Sequence, residues 1–266
     1  MKQISILGCG WLGLPLAKNL LQNGYSIKGS TTTESKLEIL KNEGISPFLI
    51  SLKANDIPRD IVDFLENSEI LIINIPPKLR GNSEENFVAK MENFIPFIEK
   101  SSVKKVIFVS STSVYADENE LITEETPPKP ETESGKQLLI SENLLLNNSN
   151  FQTTILRFGG LISEDRHPIK FLVGRNNIEN PDAPINLIHQ SDCIEIIQKI
   201  IEKEVWNTVF NAVAPFHPNR KKYYTEKALE LNLVPPQFNE NQPSVGKTVS
   251  SNKLITVLTY EFKKLG

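Results

Sequence analysis

Gly8-Cys9-Gly10-Trp11-Leu12-Gly13 constrains this chain more than any other stretch. It follows the apolar run Ile4-Ser5-Ile6-Leu7 and opens an amphipathic segment, Leu14 to Leu21, that stops at Gly24. Strand, glycine turn and helix in that order are the context in which GxGxxG has a physical purpose. Gly8 permits a tight turn, Gly10 lets backbone approach a pyrophosphate, and Gly13 lets helix and strand pack closely. The helix start then presents free N–H groups and the positive end of its dipole. The turn predicts a dinucleotide site made by Gly8, Gly10, Trp11, Leu12 and Gly13. A plain glycine turn is the alternative.

The rest of the pattern agrees with that start. Strands are expected at Ile4–Leu7, Tyr25–Gly29, Pro47–Leu52, Glu69–Ile75, Lys105–Ser110 and Thr153–Phe158. Helices are expected at Leu12–Asn23, Glu34–Asn42, Ile57–Glu66, Glu84–Lys100 and Lys136–Asn147. The strands are nearly continuous Val/Ile/Leu runs, as when helices cover both faces of a sheet. The alternation predicts an α/β fold with a doubly wound parallel sheet of the Rossmann type. Residues 1–158 form the dinucleotide-binding part in this reading. Residues 159–266 form a smaller, loop-rich substrate lobe with helices at Ser191–Glu204 and Tyr223–Leu231. Val209–Ala212 is expected to return to the sheet.

A net charge of −3 argues against nucleic acid or an anionic membrane as partner. Two cysteines, Cys9 and Cys193, make no disulfide framework, and no apolar stretch approaches a membrane span. The chain opens directly on its first strand, so a cytoplasmic protein without a signal peptide is expected. His167, His189 and His217 show no metal-ligand spacing with the cysteines, so no metal is expected.

The second strand leads into Ser30-Thr31-Thr32-Thr33, followed by Lys36. An NAD site ordinarily has a carboxylate at that strand end to hold the ribose hydroxyls. Four hydroxyls and a lysine suit a 2′-phosphate better. NADP is therefore favoured, with NAD possible; capping of the next helix by Ser30–Thr33 is the bland alternative.

Lys104 to Tyr115, reading KKVIFVSSTSVY, resembles the SS-x-x-VYG segment of the extended short-chain dehydrogenase/reductases, the NAD(P)-dependent sugar-nucleotide epimerases and dehydratases. Ile155 to Gly160, Asn186 to Asp192 and Leu258 to Phe262 are similar to later segments of that family. The resemblance implies that Ser111 holds a substrate oxygen and that Ile75, Pro76, Pro77 and Ser110 flank the cofactor. Arg80 follows Pro77 closely and reads as a solvated arginine, with reach to a phosphate as the alternative. It also implies substrate contacts from Gly159, Gly160, Arg166 and His189, and a small-molecule substrate such as a nucleotide sugar. Pairing of two copies through the helices at 84–100 and 136–147 is expected by analogy with relatives.

The family's Tyr-x-x-x-Lys pair is missing. Matching on Glu142 places Ser134 and Leu138 at those positions, so the chain resembles an atypical GxGWLG subfamily. Tyr115 is the only tyrosine near the expected strand ends and the first candidate proton donor; packing beside the substrate loop is the alternative reading. Tyr223-x-x-x-Lys227 lies in the wrong place and reads as a helix surface. Asp192 reads as a helix cap. An NADP-dependent oxidoreductase of atypical mechanism is the first expectation; a non-catalytic NAD(P)-binding sensor is the second.

Overall fold

The computed structural model describes residues 2–56, 58–79 and 85–263. The chain folds as two compact units. The first comprises Met1–Val114, Pro130–Arg157 and Ile194–Phe210; the second comprises Tyr115–Lys129, Phe158–Cys193 and Asn211–Gly266.

The first unit begins with β1 (Gln3–Leu7), α1 (Gly13–Gln22), β2 (Ser26–Thr31), α2 (Leu37–Asn42) and β3 (Ser46–Leu49). It continues with α3 (Ile61–Leu65), β4 (Ile70–Ile73), α4 (Phe87–Glu99) and β5 (Lys105–Ser111). Then come β6 (Leu121–Ile122), α5 (Glu133–Leu146), β7 (Gln152–Phe158), β8 (Gly160–Ile162), β9 (Leu187–His189) and α6 (Gln190–Glu202). The chain closes with β10 (Thr208–Ala212), α7 (Arg220–Glu230), β11 (Thr248–Val249) and α8 (Asn252–Leu258).

Seven strands form one sheet in the order β10-β7-β5-β4-β1-β2-β3. The pairs β1–β2, β2–β3, β1–β4 and β4–β5 are parallel, with Ile4 opposite both Ile27 and Ile70. Ile4, Ile6, Ile70 to Ile73 and Val106 to Phe108 are fully buried, which is why these strands carry apolar residues at consecutive positions. The order reverses between β1 and β4. Connections from β1 run one way through β2 to β3, and the chain then crosses to β4 on the other side. Such a switch point opens a crevice beyond the carboxyl ends of the strands.

Several element boundaries differ from expectation. α3 occupies only Ile61–Leu65, because Pro58 stands ahead of it and Ile61 N–H donates to the Pro58 carbonyl. Glu34–Lys36 is a short 3₁₀ turn before α2. α5 starts earlier than expected, at Glu133, because Thr132 caps it by accepting from Gly135 N–H at 3.1 Å. β6 pairs with β11, and β8 with β9, in two small parallel sheets. Strands of two or three residues carry no readable alternation, so the sequence did not announce them.

In the second unit Tyr223 and Tyr224 are buried, 8% and 7% exposed, which overturns their reading as a helix surface. The His167 Nε2 lies 3.0 Å from the Tyr223 hydroxyl, and both tyrosine rings pack beside the imidazole. Asp192 is fully buried, and its carboxylate accepts from Tyr260 Oη at 2.6 Å and Lys263 N–H at 3.1 Å. It anchors the C-terminal segment rather than capping α6. No helix among the described residues is long and apolar enough to cross a membrane.

Candidate functional site

At the switch point the three glycines of the turn have three different environments. Gly8 has φ +104°, and a Cβ there would sit 2.4 Å from the Asn74 carbonyl oxygen at the end of β4. Gly13 begins α1, and its Cβ would sit 2.2 Å from the Gly8 carbonyl oxygen. Both positions are closed by backbone, so only glycine fits. Gly10 is the opposite case: a Cβ there would meet nothing within 4 Å. Its bare backbone faces open space.

The turn is braced from two neighbouring strands. Asn74 Nδ2 donates to the Gly8 carbonyl at 3.0 Å. Gly8 N–H donates to Ser30 Oγ at 2.9 Å, and Cys9 N–H donates to the Ser30 carbonyl at 2.7 Å. No side chain caps α1, and its first turn holds no acidic residue. The first N–H groups of a helix in that condition are donors suited to an anion.

A cavity of about 520 Å³ opens in front of this turn. That is within the range of small-molecule and cofactor pockets. Gly8 and Gly10 form one wall; Thr32, Thr33 and Lys36 beyond β2 form another; Ile75 and Pro76 beyond β4 form a third. The structure adds residues the sequence reading did not single out: Asn74, Ile50 to Ala54 beyond β3, and Lys78, Phe87 and Lys90. One rule would have found some of them, because residues just past any strand's carboxyl end in such a sheet are ligand candidates. Phe87 is buried and stacks on Phe108 with centroids 6.3 Å apart.

The cavity's charge is positive. Among the described residues four lysines line it, Lys36, Lys53, Lys78 and Lys90, against the single carboxylate Glu85. Glu85 is paired with Lys90, whose hydrogen bond lowers the carboxyl's pKa. No carboxylate stands at the end of β2. The open cradle at Gly10, the uncapped helix start and the lysines together fit a phosphate-bearing dinucleotide.

The remaining expected cofactor residues fall elsewhere. Ser30 and Thr31 also touch the cavity, yet Ser30 is 1% exposed and its hydroxyl serves the Gly8 turn. Thr31 Oγ1 accepts from Thr33 N–H, and Thr33 makes no side-chain cap. Trp11, Leu12, Gly13 and Pro77 are absent from the lining, and Leu12 is 3% exposed. Ser110 is buried and donates to Glu142 Oε1 at 2.5 Å. Glu142, fully buried on α5, also accepts two bonds from Arg157 Nε at 3.1 Å and one from Nη2 at 2.5 Å. Arg80 lies outside the described residues. Burial pushes the Cys9 thiol up to about 12, so it stays a neutral packing group.

Ser111 is partly exposed at the end of β5, and its Oγ accepts from Ser113 N–H at 3.1 Å. Gly135 packs α5 against this loop so closely that a Cβ would lie 2.3 Å from the Ser113 carbonyl. Also on α5, Ser134, just before Gly135, is partly exposed, and Leu138 is 4% exposed among core residues.

In the second unit Tyr115 is 2% exposed and its hydroxyl donates to Asn211 Oδ1 at 2.9 Å. Gly159 and Gly160 are close-approach positions, where a Cβ would meet the Asn186 carbonyl at 2.6 Å and Leu187 at 2.8 Å. Arg166 is exposed, and its N–H donates to Ser163. His189 Nδ1 accepts from Ser191 N–H, so the neutral ring carries its proton on Nε2, 3.4 Å from a Glu164 carboxylate oxygen.

Comparison with known proteins agrees with this geometry. A family described as NAD(P)H-binding matches residues 8–186. Protein YeeZ of Escherichia coli K12 is 32% identical over 265 residues, covering 99% of this chain and 96% of that protein. A decarboxylating sterol-4-alpha-carboxylate 3-dehydrogenase of Dictyostelium discoideum is 25% identical, covering 97% of this chain and 80% of its own length. Among solved structures, the UDP-glucuronic acid 4-epimerase of Bacillus cereus in complex with NAD superposes with a TM-score of 0.81 at 16% identity, covering 99% and 92% of the two chains. The chain belongs to the NAD(P)H-binding family and has the fold of the short-chain dehydrogenase/reductases and NAD-dependent epimerases and dehydratases.

Proposed function

We propose that this chain binds NADP(H) in the cavity beside the Gly8–Gly13 turn and uses it as an oxidoreductase on a small-molecule carbonyl or alcohol. The observation that carries the cofactor choice is the rim: Thr32, Thr33, Lys36 and Lys53 where an NAD site would place a carboxylate. When bound, the cofactor supplies the hydride. The chain's own residues bind and orient it, Gly10 by clearing space and the α1 start by offering N–H groups, while Ser111 presents a hydroxyl to the substrate oxygen. Residues 1–158 form the cofactor part in this reading. Residues 159–266 supply substrate contacts through Gly159, Gly160, Arg166 and His189, with a nucleotide sugar the substrate class suggested by relatives.

A second reading has a specific observation behind it. Ser134 and Leu138 hold the proton-transfer positions, and the Tyr115 phenol is buried and engaged with Asn211. A non-catalytic NADP(H)-binding module would need none of those groups. Calorimetric titration with NADP⁺, NADPH, NAD⁺ and NADH tests the cofactor. NADPH oxidation against a panel of carbonyl compounds and nucleotide sugars then separates enzyme from binder. Equal or absent binding of all four cofactors would overturn the NADP reading.

The partner proposed for α4 and α5 is a second copy of the chain. Ile140 is 46% exposed, and Leu144, Ile95 and Pro96 line a groove of about 460 Å³ between these helices. Sedimentation of the wild type and Ile140→Glu tests it: a monomeric wild type removes the proposal.

A further inference from the structure

The positive charge of the cavity comes from separate loops, and its lysines are not equivalent. Lys90 is paired with Glu85, and Lys78 sits in the field of the same carboxylate. Among the described residues no carboxylate lies within ion-pair distance of Lys36 or Lys53. Lys90 is thus engaged by Glu85 and Lys78 lies in its field, whereas Lys36 and Lys53 have no such carboxylate among the described residues.

Lys36 and Lys53 come from adjacent strands. β2 and β3 run parallel, with Thr31 opposite Leu49, and Ile50 N–H donates to the Thr31 carbonyl at 2.9 Å. The segments that follow, 32–36 and 51–53, therefore leave the sheet side by side, and both line the cavity. The backbone carrying Lys53 is braced. Lys53 N–H donates to the Asp56 carbonyl at 3.3 Å, and the Asn93 side chain of α4 donates to the Ala54 carbonyl. Lys53 is exposed, so its ammonium keeps its hydration until a ligand replaces it.

We infer that Lys53, acting with Lys36 from the neighbouring loop, is a specificity-determining residue that selects the 2′-phosphate of NADP(H). This rests on the NADP reading above. A phosphate monoester carries close to two negative charges at neutral pH and three acceptor oxygens. One lysine offers a compact point charge without bidentate geometry, so a second from another direction supplies the grip that one arginine would give. Thr32 and Thr33 add hydroxyl donors between them. The signal was present in the sequence only as a lysine a few residues past a strand. The parallel pairing of β2 and β3 is what carries the segment holding Lys53 to the cavity that Lys36 also lines.

The test measures dissociation constants of NADP⁺ and NAD⁺ by calorimetry for the wild type, Lys53→Met, Lys53→Arg and Lys36→Met. Lys53→Met should weaken NADP⁺ by about 10-fold or more, the worth of a charge-assisted hydrogen bond, and leave NAD⁺ within about twofold. Lys53→Arg should retain the preference, which a purely packing role would not require. Thermal melts establish that each variant is folded. If Lys53→Met binds both cofactors as the wild type does, or weakens both equally, Lys53 does not select the phosphate while the NADP reading stands on Lys36. If the wild type itself shows no preference for NADP⁺, both fall together.

Discussion

Valine at Gly10 should abolish cofactor binding while leaving the fold intact, whereas alanine at Gly13 should do nearly the reverse. At Gly10 a Cβ meets nothing within 4 Å, so the new side chain has space and no protein atom must move. Its backbone is not in the left-handed region, and restricting the unfolded chain should leave stability unchanged or raised by up to about 1 kcal/mol. The space it enters is the cavity wall beside the α1 start. Losing a single phosphate-to-backbone hydrogen bond costs about 1.5–3 kcal/mol, or roughly 10- to 150-fold in affinity. At Gly13 the Cβ would have to retreat from 2.2 Å to the 3.4 Å of ordinary contact with the Gly8 carbonyl, with the Asn74 side-chain amide, 3.0 Å away, also close. Overpacking of that kind costs about 1–3 kcal/mol, a fall of several degrees in Tm for a chain of this size. Calorimetric titration paired with thermal melts reads both effects. Wild-type affinity in Gly10→Val would refute the cofactor geometry. A Tm loss in Gly10→Val as large as that of Gly13→Ala would refute the claim that Gly10 faces open space.

Further outcomes follow from buried and charged groups. Glu142→Gln removes the carboxylate paired with the buried Arg157 side chain, 6% exposed, and should cost about 3–5 kcal/mol in urea unfolding, with most recovered in the double variant Glu142→Leu/Arg157→Met; a single-variant loss under about 1 kcal/mol would contradict a buried ion pair. Burial lowers the His167 pKa to about 4, so the unfolded chain binds the extra proton first as pH falls. Stability should therefore drop from about pH 6.5 down to about pH 4, by on the order of 2–3 kcal/mol. His167→Asn, which keeps an acceptor for Ile169 N–H, should flatten that slope, and an unaltered slope would exclude His167 as its source. Hydrogen bonds from Lys105, Trp206 and Lys2 hold the Glu204 carboxyl down at about 2. Its contribution is present above the ordinary carboxylate pKa and lost as pH falls through about 2. Because its side chain is 42% exposed, Glu204→Gln should cost under about 1 kcal/mol at pH 7; a larger loss would show stronger coupling than an exposed pair provides.

Much of the fold was legible because its signals are local. Gly8, Gly10 and Gly13 sit at the spacing of a strand–turn–helix and between a strand and a helix pattern, and Ile70 to Ile73 and Val106 to Phe108 are apolar at every position because parallel strands are covered on both faces. The lack of a carboxylate at the very end of β2, with Glu34 coming only three residues later, and the presence of Ser134 and Leu138 rather than tyrosine and lysine, are facts of identity, so they too could be read from the chain.

What tertiary structure alone decided concerns residues whose partners are far away in sequence. From sequence alone Ser30 reads only as a phosphate ligand or helix cap, whereas its hydroxyl also accepts from the Gly8 N–H, 22 residues earlier, and so braces the turn. Tyr223 looked like a helix surface until His167, 56 residues away, was found against its ring. Lys53 carried no motif, and only the fold, with β2 and β3 paired in parallel, brings it to the same cavity as Lys36. Local spacing reports backbone geometry, which repeats over a few residues. Which side chains meet is set by strand order and register, and those are fixed only when the whole sheet has formed.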